Sequence, residues 1–394
     1  MHPSSHPELP SEIRLEPAAA PGLQRRALLA LPLAAACPLD AAQATDGSAP
    51  VKTLRVMLNS AETSFDPARI TDLYSRTITA HIFEALYGYD ALARPAKPEP
   101  KLAAALPEVS ADFKTWTVRL KPGVRFADDP AFRGRPRELV ADDVIYSFKR
   151  LVDPANKSPQ ANTLLDEGIV GLAELRQAAL DSRKPMDYAA PVDGMLALDR
   201  HTLRFTLKAA RPRFIQLLSA SDFLGTQAHE VVAMYGESIG EHPVGSGPFR
   251  LKQWVRGSRI VLERNPHYRE VLYDAQPDAD DAAGQAILAQ FKGRRLPMVD
   301  RVEVAIIEEN QPQWLAFLNG EIDALVANTG SVPLEFAMLA VPNGKLAPNL
   351  ARQGIQLHRS LRSDCAMAYL HGRPGGRWLH ARQGGAAPGP VAGL

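Results

Sequence analysis

The pentapeptide Gly236-Glu-Ser-Ile-Gly240 has the G-x-S-x-G spacing of a nucleophile elbow. Such an elbow needs a strand before the serine and a helix after it, so that the hydroxyl stands strained and exposed. Here "HEVVAMY", His229 to Tyr235, has helical spacing, and His242-Pro243 follows almost at once. The order is inverted, and the pattern predicts a helix ending in a glycine-punctuated loop. A secreted serine hydrolase using Ser238 is kept as the alternative function. "GSG", Gly245 to Gly247, is followed by Pro248, where a phosphate loop would need the free N–H groups of a helix start. The ten histidines show no HExxH pattern and no Cys/His ligand spacing, so neither a metal nor a cofactor is expected. The acidic pairs Asp128-Asp129 and Glu308-Glu309 read as solvated turns rather than acid/base dyads.

The whole chain sets the context for these residues. It has 394 residues with 45 Lys+Arg against 44 Asp+Glu, and a net charge of +1 gives no support for a nucleic-acid partner or a polybasic membrane patch. The length suits about two or three domains. Residues 1–44 read as an export leader. Arg25-Arg26 precedes the apolar run Ala27 to Ala36, too short to span a bilayer, and Ala42-Gln-Ala44 offers a small-x-small cleavage pattern. The arginine pair resembles a twin-arginine signal with Gln24 in place of Ser or Thr. Cys37 follows a poor lipoprotein box, so a lipid anchor there is not expected. Loss of the leader leaves Cys365 alone, without an intrachain disulfide.

Strand and helix patterns alternate along most of the remaining length. "LRVML" reads as a strand running into the loop Asn59 to Pro67, with a helix predicted from Leu73 to Leu86. Trp116, Val118 and Leu120 alternate before Pro122-Gly123, which predicts a hairpin into Val124 and Phe126. "LVADDVIYSFKRLVDP" reads as a helix with Asp142 and Asp143 in its first turn. "VDRVEVAIIEENQPQWLAFLNGEIDALV" reads as strand, helix, strand, and Tyr273 to Arg295 as a surface insertion. The class is α/β with mixed sheets.

The stretch His242 to Glu270, "HPVGSGPFRLKQWVRGSRIVLERNPHYRE", resembles the family 5 extracellular solute-binding proteins, the oligopeptide and dipeptide receptors of bacterial ABC importers. The matching parts are Pro243 to Phe249, Trp254, Gly257, Ile260 to Glu263, and Asn265 with Tyr268. Asn59 to Pro67, Glu99 to Asp128, "VADDVIYSFKRL" and Phe317 to Leu325 are similar to that family in the same order. The resemblance implies a periplasmic-binding-protein-like, two-lobed clamp of type II with an extra domain. Residues 45–72 plus 198–320 would form lobe I, 73–197 domain II, and 321–369 the start of lobe III. The Gly-rich knot would be a tight crossover behind the cleft. The implied role is capture of a peptide or small solute in the periplasm and delivery to an ABC permease in the inner membrane, by a monomer without catalysis. Glu62 would meet a ligand amine, with Thr63 and Ser64 lining the same loop. The competing reading makes Glu62 an ordinary exposed turn residue.

Residues 370–394 depart from the family pattern, being rich in Gly, Arg, Ala and Pro and nearly devoid of large aliphatics. Leu370 to Gly389 can be encoded so that reading one base later gives F-M-E-D-P-V-V-G-G-Y-T-P-D-K-V-A-L-R-R-A, which resembles the family's continuation. A frameshifted or truncated lobe III, leaving binding impaired, is therefore expected.

Overall fold

The computed structural model describes residues 50–325 and 332–358. The predicted leader, Cys37, Cys365 and the 370–394 tail lie outside these residues.

Two four-stranded sheets organise the chain. In the first, Thr53–Leu58 runs parallel to Arg301–Ile306, which pairs antiparallel with Arg259–Arg264, itself antiparallel to Phe249–Val255. The two strands of the His242–Glu270 stretch are thus neighbours, joined by a turn with Gly257 at φ 66°. Ile260 and Leu262 lie opposite Val304 and Val302, and the inward face packs on Phe65, Ile78, Ile82 and Phe83. The apolar face of the helix Leu73–Ile82 therefore closes this core.

The second sheet is antiparallel throughout, in the order Glu108–Val109, Thr115–Arg119, Thr202–Thr206, Met195–Asp199. Trp116 pairs with Phe205 and Val118 with Leu203. The helix Ala141–Val152 lays Val144, Phe148 and Leu151 on this core, with the Phe148 and Phe205 rings 5.4 Å apart. Phe214 stacks edge-on against both Trp116 and Phe205. Burial of each such ring contributes roughly 2–3 kcal/mol.

Several sequence expectations change. The 116–126 hairpin does not form: Thr115–Arg119 is flanked by Glu108–Val109 and Thr202–Thr206, and Arg125 bridges Glu138 instead. Alternation along Val124 and Phe126 serves burial in the same core without direct pairing. The first helix stops at Ile82 rather than Leu86, because Phe83 is extended and its N–H returns to the Thr79 carbonyl. That break lets Phe83 and Leu86 enter different cores. The Leu73–Ile82 helix packs on the first sheet, while Met195–Asp199 and Thr202–Thr206 belong to the second. After the helix Asn310–Leu318, residues 321–325 form no strand, and Asp323 instead exchanges bonds with Arg55 at the sheet edge. The Tyr273–Arg295 segment carries a helix at Ala282–Phe291.

The glycine knot explains its own composition. Gly247 N–H donates to the Ile82 carbonyl at 2.9 Å, and a Cβ on Gly245 would sit 2.1 Å from that same oxygen. Only a residue without a side chain lets the backbones approach this closely. Gly245→Ala is expected to destabilise the fold by about 3 kcal/mol or more, since the obstacle is backbone rather than a movable side chain. Urea unfolding of the two proteins measures the difference.

Candidate functional site

The loop Asn59–Pro67 leaves the edge of the first sheet and is gripped from four directions. Asp66, 1% exposed, receives both terminal nitrogens of Arg150, at 2.8 and 3.0 Å. Arg150 lies on the Ala141–Val152 helix, so this ion pair ties the loop to the second sheet's helix. Gln227 completes the node: its amide nitrogen donates to Asp66 at 3.3 Å, its carbonyl accepts from Arg150, and its backbone N–H donates to Ser147 Oγ at 2.8 Å. Burial works against the Arg150 charge, but the Asp66 carboxylate outweighs it and holds the guanidinium above its ordinary range.

From the strand side, Glu62 Oε1 accepts from the indole N–H of Trp254 and from the Gly257 N–H at 3.0 Å. Trp254 leans on Phe65 with ring centres 4.5 Å apart, and the Arg256 guanidinium covers its outer face at 4.4 Å. Arg256 also donates to the Thr63 carbonyl at 2.9 Å. From the helix side, Asp72 caps the Leu73–Ile82 helix by accepting from Ser75 N–H at 2.7 Å. Ser75 Oγ in turn accepts the backbone N–H of Thr63 at 2.9 Å and of Ser64 at 3.3 Å, and Thr63 Oγ1 donates to Asp72.

The fourth grip comes from the GESIG segment. Phe65 N–H donates to the Gly240 carbonyl at 3.1 Å, and a Cβ on Gly240 would meet Ser64 Oγ at 2.2 Å. Glu237 takes Arg69 in a two-pronged pair at 2.6 and 3.0 Å, which holds that guanidinium above its ordinary value against the effect of burial. Ser238 sits in a 3-10 turn directly after the helix His229–Tyr235, and its hydroxyl donates to the Tyr235 carbonyl at 2.8 Å. The elbow geometry is absent here, and the hydrolase alternative is not supported. Gly240 and Glu237 hold the loop.

The three candidate residues therefore come together as neighbours of very different exposure. Thr63 is exposed, Ser64 half-buried, and Glu62 only 3% exposed, which overturns its reading as an exposed turn residue. Glu62 Oε2 is buried and has no hydrogen-bond partner among the described residues. A buried carboxylate oxygen left unpaired is costly, so its placement calls for a donor. Trp254, Arg256, Arg150 and Gln227 went unassigned at the sequence level. Trp254 and Gly257 had a signal in the strand–turn–strand pattern, but no spacing links Arg150 or Gln227 to Asp66, 84 and 161 residues away. Among the described residues no three His, Cys, Asp or Glu side chains gather as metal ligands, and no helix is long and apolar enough to cross a membrane.

A mixed sheet and an antiparallel sheet tied together by one loop make an α/β scaffold that solved structures share. The Escherichia coli murein tripeptide binding protein MppA superposes with a TM-score of 0.56 at 24% identity, over 75% of this chain and 49% of that one. The substrate-binding domain of a Bacillus anthracis oligopeptide ABC transporter gives 0.56 at 21% identity, over 75% and 48%. The chain belongs to the bacterial extracellular solute-binding proteins, family 5, whose middle region matches residues 97–359. The Salmonella typhimurium periplasmic oligopeptide-binding protein OppA is 31% identical over 207 residues, 52% of this chain and 34% of that protein. The probable deoxycholate-binding periplasmic protein YgiS of Escherichia coli is 30% identical over 305 residues, 75% of this chain and 53% of that protein. The chain spans about a third to a half of the length of these relatives.

Glu62→Ala removes both acceptor bonds to Trp254 and Gly257 and is expected to cost about 2 kcal/mol or more, with Glu62→Gln costing less because one oxygen remains. Chemical unfolding read by tryptophan fluorescence checks the order; equal losses would contradict it.

Proposed function

We propose that this chain acts as the solute-capturing part of an ABC importer, taking up peptides in the periplasm and presenting them to a permease in the inner membrane. Its membership of a family of solute-binding proteins carries this reading, together with relatives named for oligopeptide and di/tripeptide binding. In this reading the protein is exported as its leader is removed near Ala44, and it works as a monomer.

The Glu62–Ser64 loop supplies one wall of the ligand site. A ligand ammonium would give Glu62 Oε2 the donor it lacks, in a setting where burial strengthens the charge-assisted bond. The exposed Thr63 and the half-buried Ser64 then line the approach. A sterol-like carboxylate is the second reading, favoured by the length of the match to the deoxycholate-binding relative.

Calorimetric titration with free di- and tripeptides, their N-acetyl forms and deoxycholate separates these readings. Peptides with a free amine are expected to bind, and Glu62→Gln or N-acetylation to weaken them about tenfold or more, the equivalent of one charge-assisted hydrogen bond. Binding of deoxycholate alone would favour the second reading, and N-acetyl peptides binding as tightly as free ones would remove Glu62 from the site.

A further inference from the structure

The segment Pro130 to Arg137, Pro-Ala-Phe-Arg-Gly-Arg-Pro-Arg, lies apart in sequence and in contacts from the Glu62 loop. Asp129 caps a short 3-10 turn at Pro130–Phe132, and the chain then reverses through Arg133 and Gly134, with φ of 52° and 71°. Arg135 N–H returns to the Phe132 carbonyl at 3.0 Å. This reversal brings Arg133, Arg135 and Arg137 around one pocket of about 330 Å³, with Ala131, Phe132, Pro136 and Glu230 completing its lining. A pocket of that size suits a small molecule.

The arginines differ in what they have left to offer. Arg137 is spent: it donates to Asp143 at 2.7 and 3.0 Å and to Glu230 at 2.8 Å. Arg133 and Arg135 are exposed, and neither guanidinium has a hydrogen-bond or ion-pair partner among the described residues. Asp143 and Glu230 are both taken up by Arg137, so neither neutralises Arg133 or Arg135 directly. Guanidinium forks match the planar geometry of a carboxylate, while Ala131, Phe132 and Pro136 offer apolar surface beside them. Glu230, in the same lining, opposes a second negative charge.

We propose that this pocket is a second small-molecule site, taking a monocarboxylate carried on a small apolar body, held by Arg133 and Arg135. The probe is benzoate, titrated into the full chain and followed by saturation-transfer NMR. Saturable binding is expected, weakened by added sodium chloride and reduced at least about tenfold by Arg133→Ala with Arg135→Ala. Both side chains are exposed, so the double variant should unfold at the same urea concentration as the parent. Benzylamine should not compete, inorganic phosphate should bind more weakly, and peptides bound at the Glu62 loop should leave benzoate in place. The result stands whether or not any peptide binds. Absence of saturable benzoate binding, undiminished binding in the double variant, phosphate binding at least as tightly, or displacement by peptide would each overturn it.

Discussion

Asp66 and Arg150 form an ion pair shut almost wholly away from water, with their side chains 1% and 3% exposed. Removing two charges from water costs several kcal/mol each, and only close, fully hydrogen-bonded pairing offsets that. The node meets the condition. Arg150 reaches both Asp66 oxygens, Gln227 satisfies each partner, and Ala68 N–H adds a bond at 3.2 Å. The pair joins a loop leaving one sheet to a helix lying on the other, so its geometry fixes how the two cores meet at this point. Glu62, Thr63 and Ser64 are placed by the same constraint, two to four residues upstream of Asp66.

A second, partly buried pair works in parallel. Glu84 binds Arg269 at 2.7 and 2.8 Å, and Ser246, from the glycine knot, donates to the same carboxylate at 3.0 Å. Gly245 and Gly247 press on the carbonyl of Ile82 two residues before Glu84. The His242–Glu270 stretch therefore has a structural part to play. It brings backbone to backbone where the first helix ends, and its strand turn supplies the Trp254 and Gly257 donors that hold Glu62.

Much of this was legible because local patterns and local structure agree. The helix at Ala141–Val152 follows from 3.6-residue spacing, and the strands at Phe249–Val255 and Arg259–Arg264 from two short apolar-bearing runs on either side of Gly257. The false hairpin at 116–126 shows the limit. Alternation reports which side chains are buried, but strand partners come from residues such as Thr202–Thr206, nearly ninety positions away. The loop at Asn59–Pro67 was located from its motif, whereas the burial of Glu62 depends on tertiary partners that leave no periodic trace. The GESIG segment matters for a different reason than its motif suggests: Gly240 allows close packing on Ser64.

The account rests on the Asp66–Arg150 pair acting as one unit, and a double-mutant cycle in urea tests that directly. Asp66→Asn and Arg150→Met are each expected to cost about 3–5 kcal/mol, because each strands a buried partner. The double variant should lose far less than the sum of the two. Losses that add to within about 0.5 kcal/mol would contradict the account, since independent sites behave in that way.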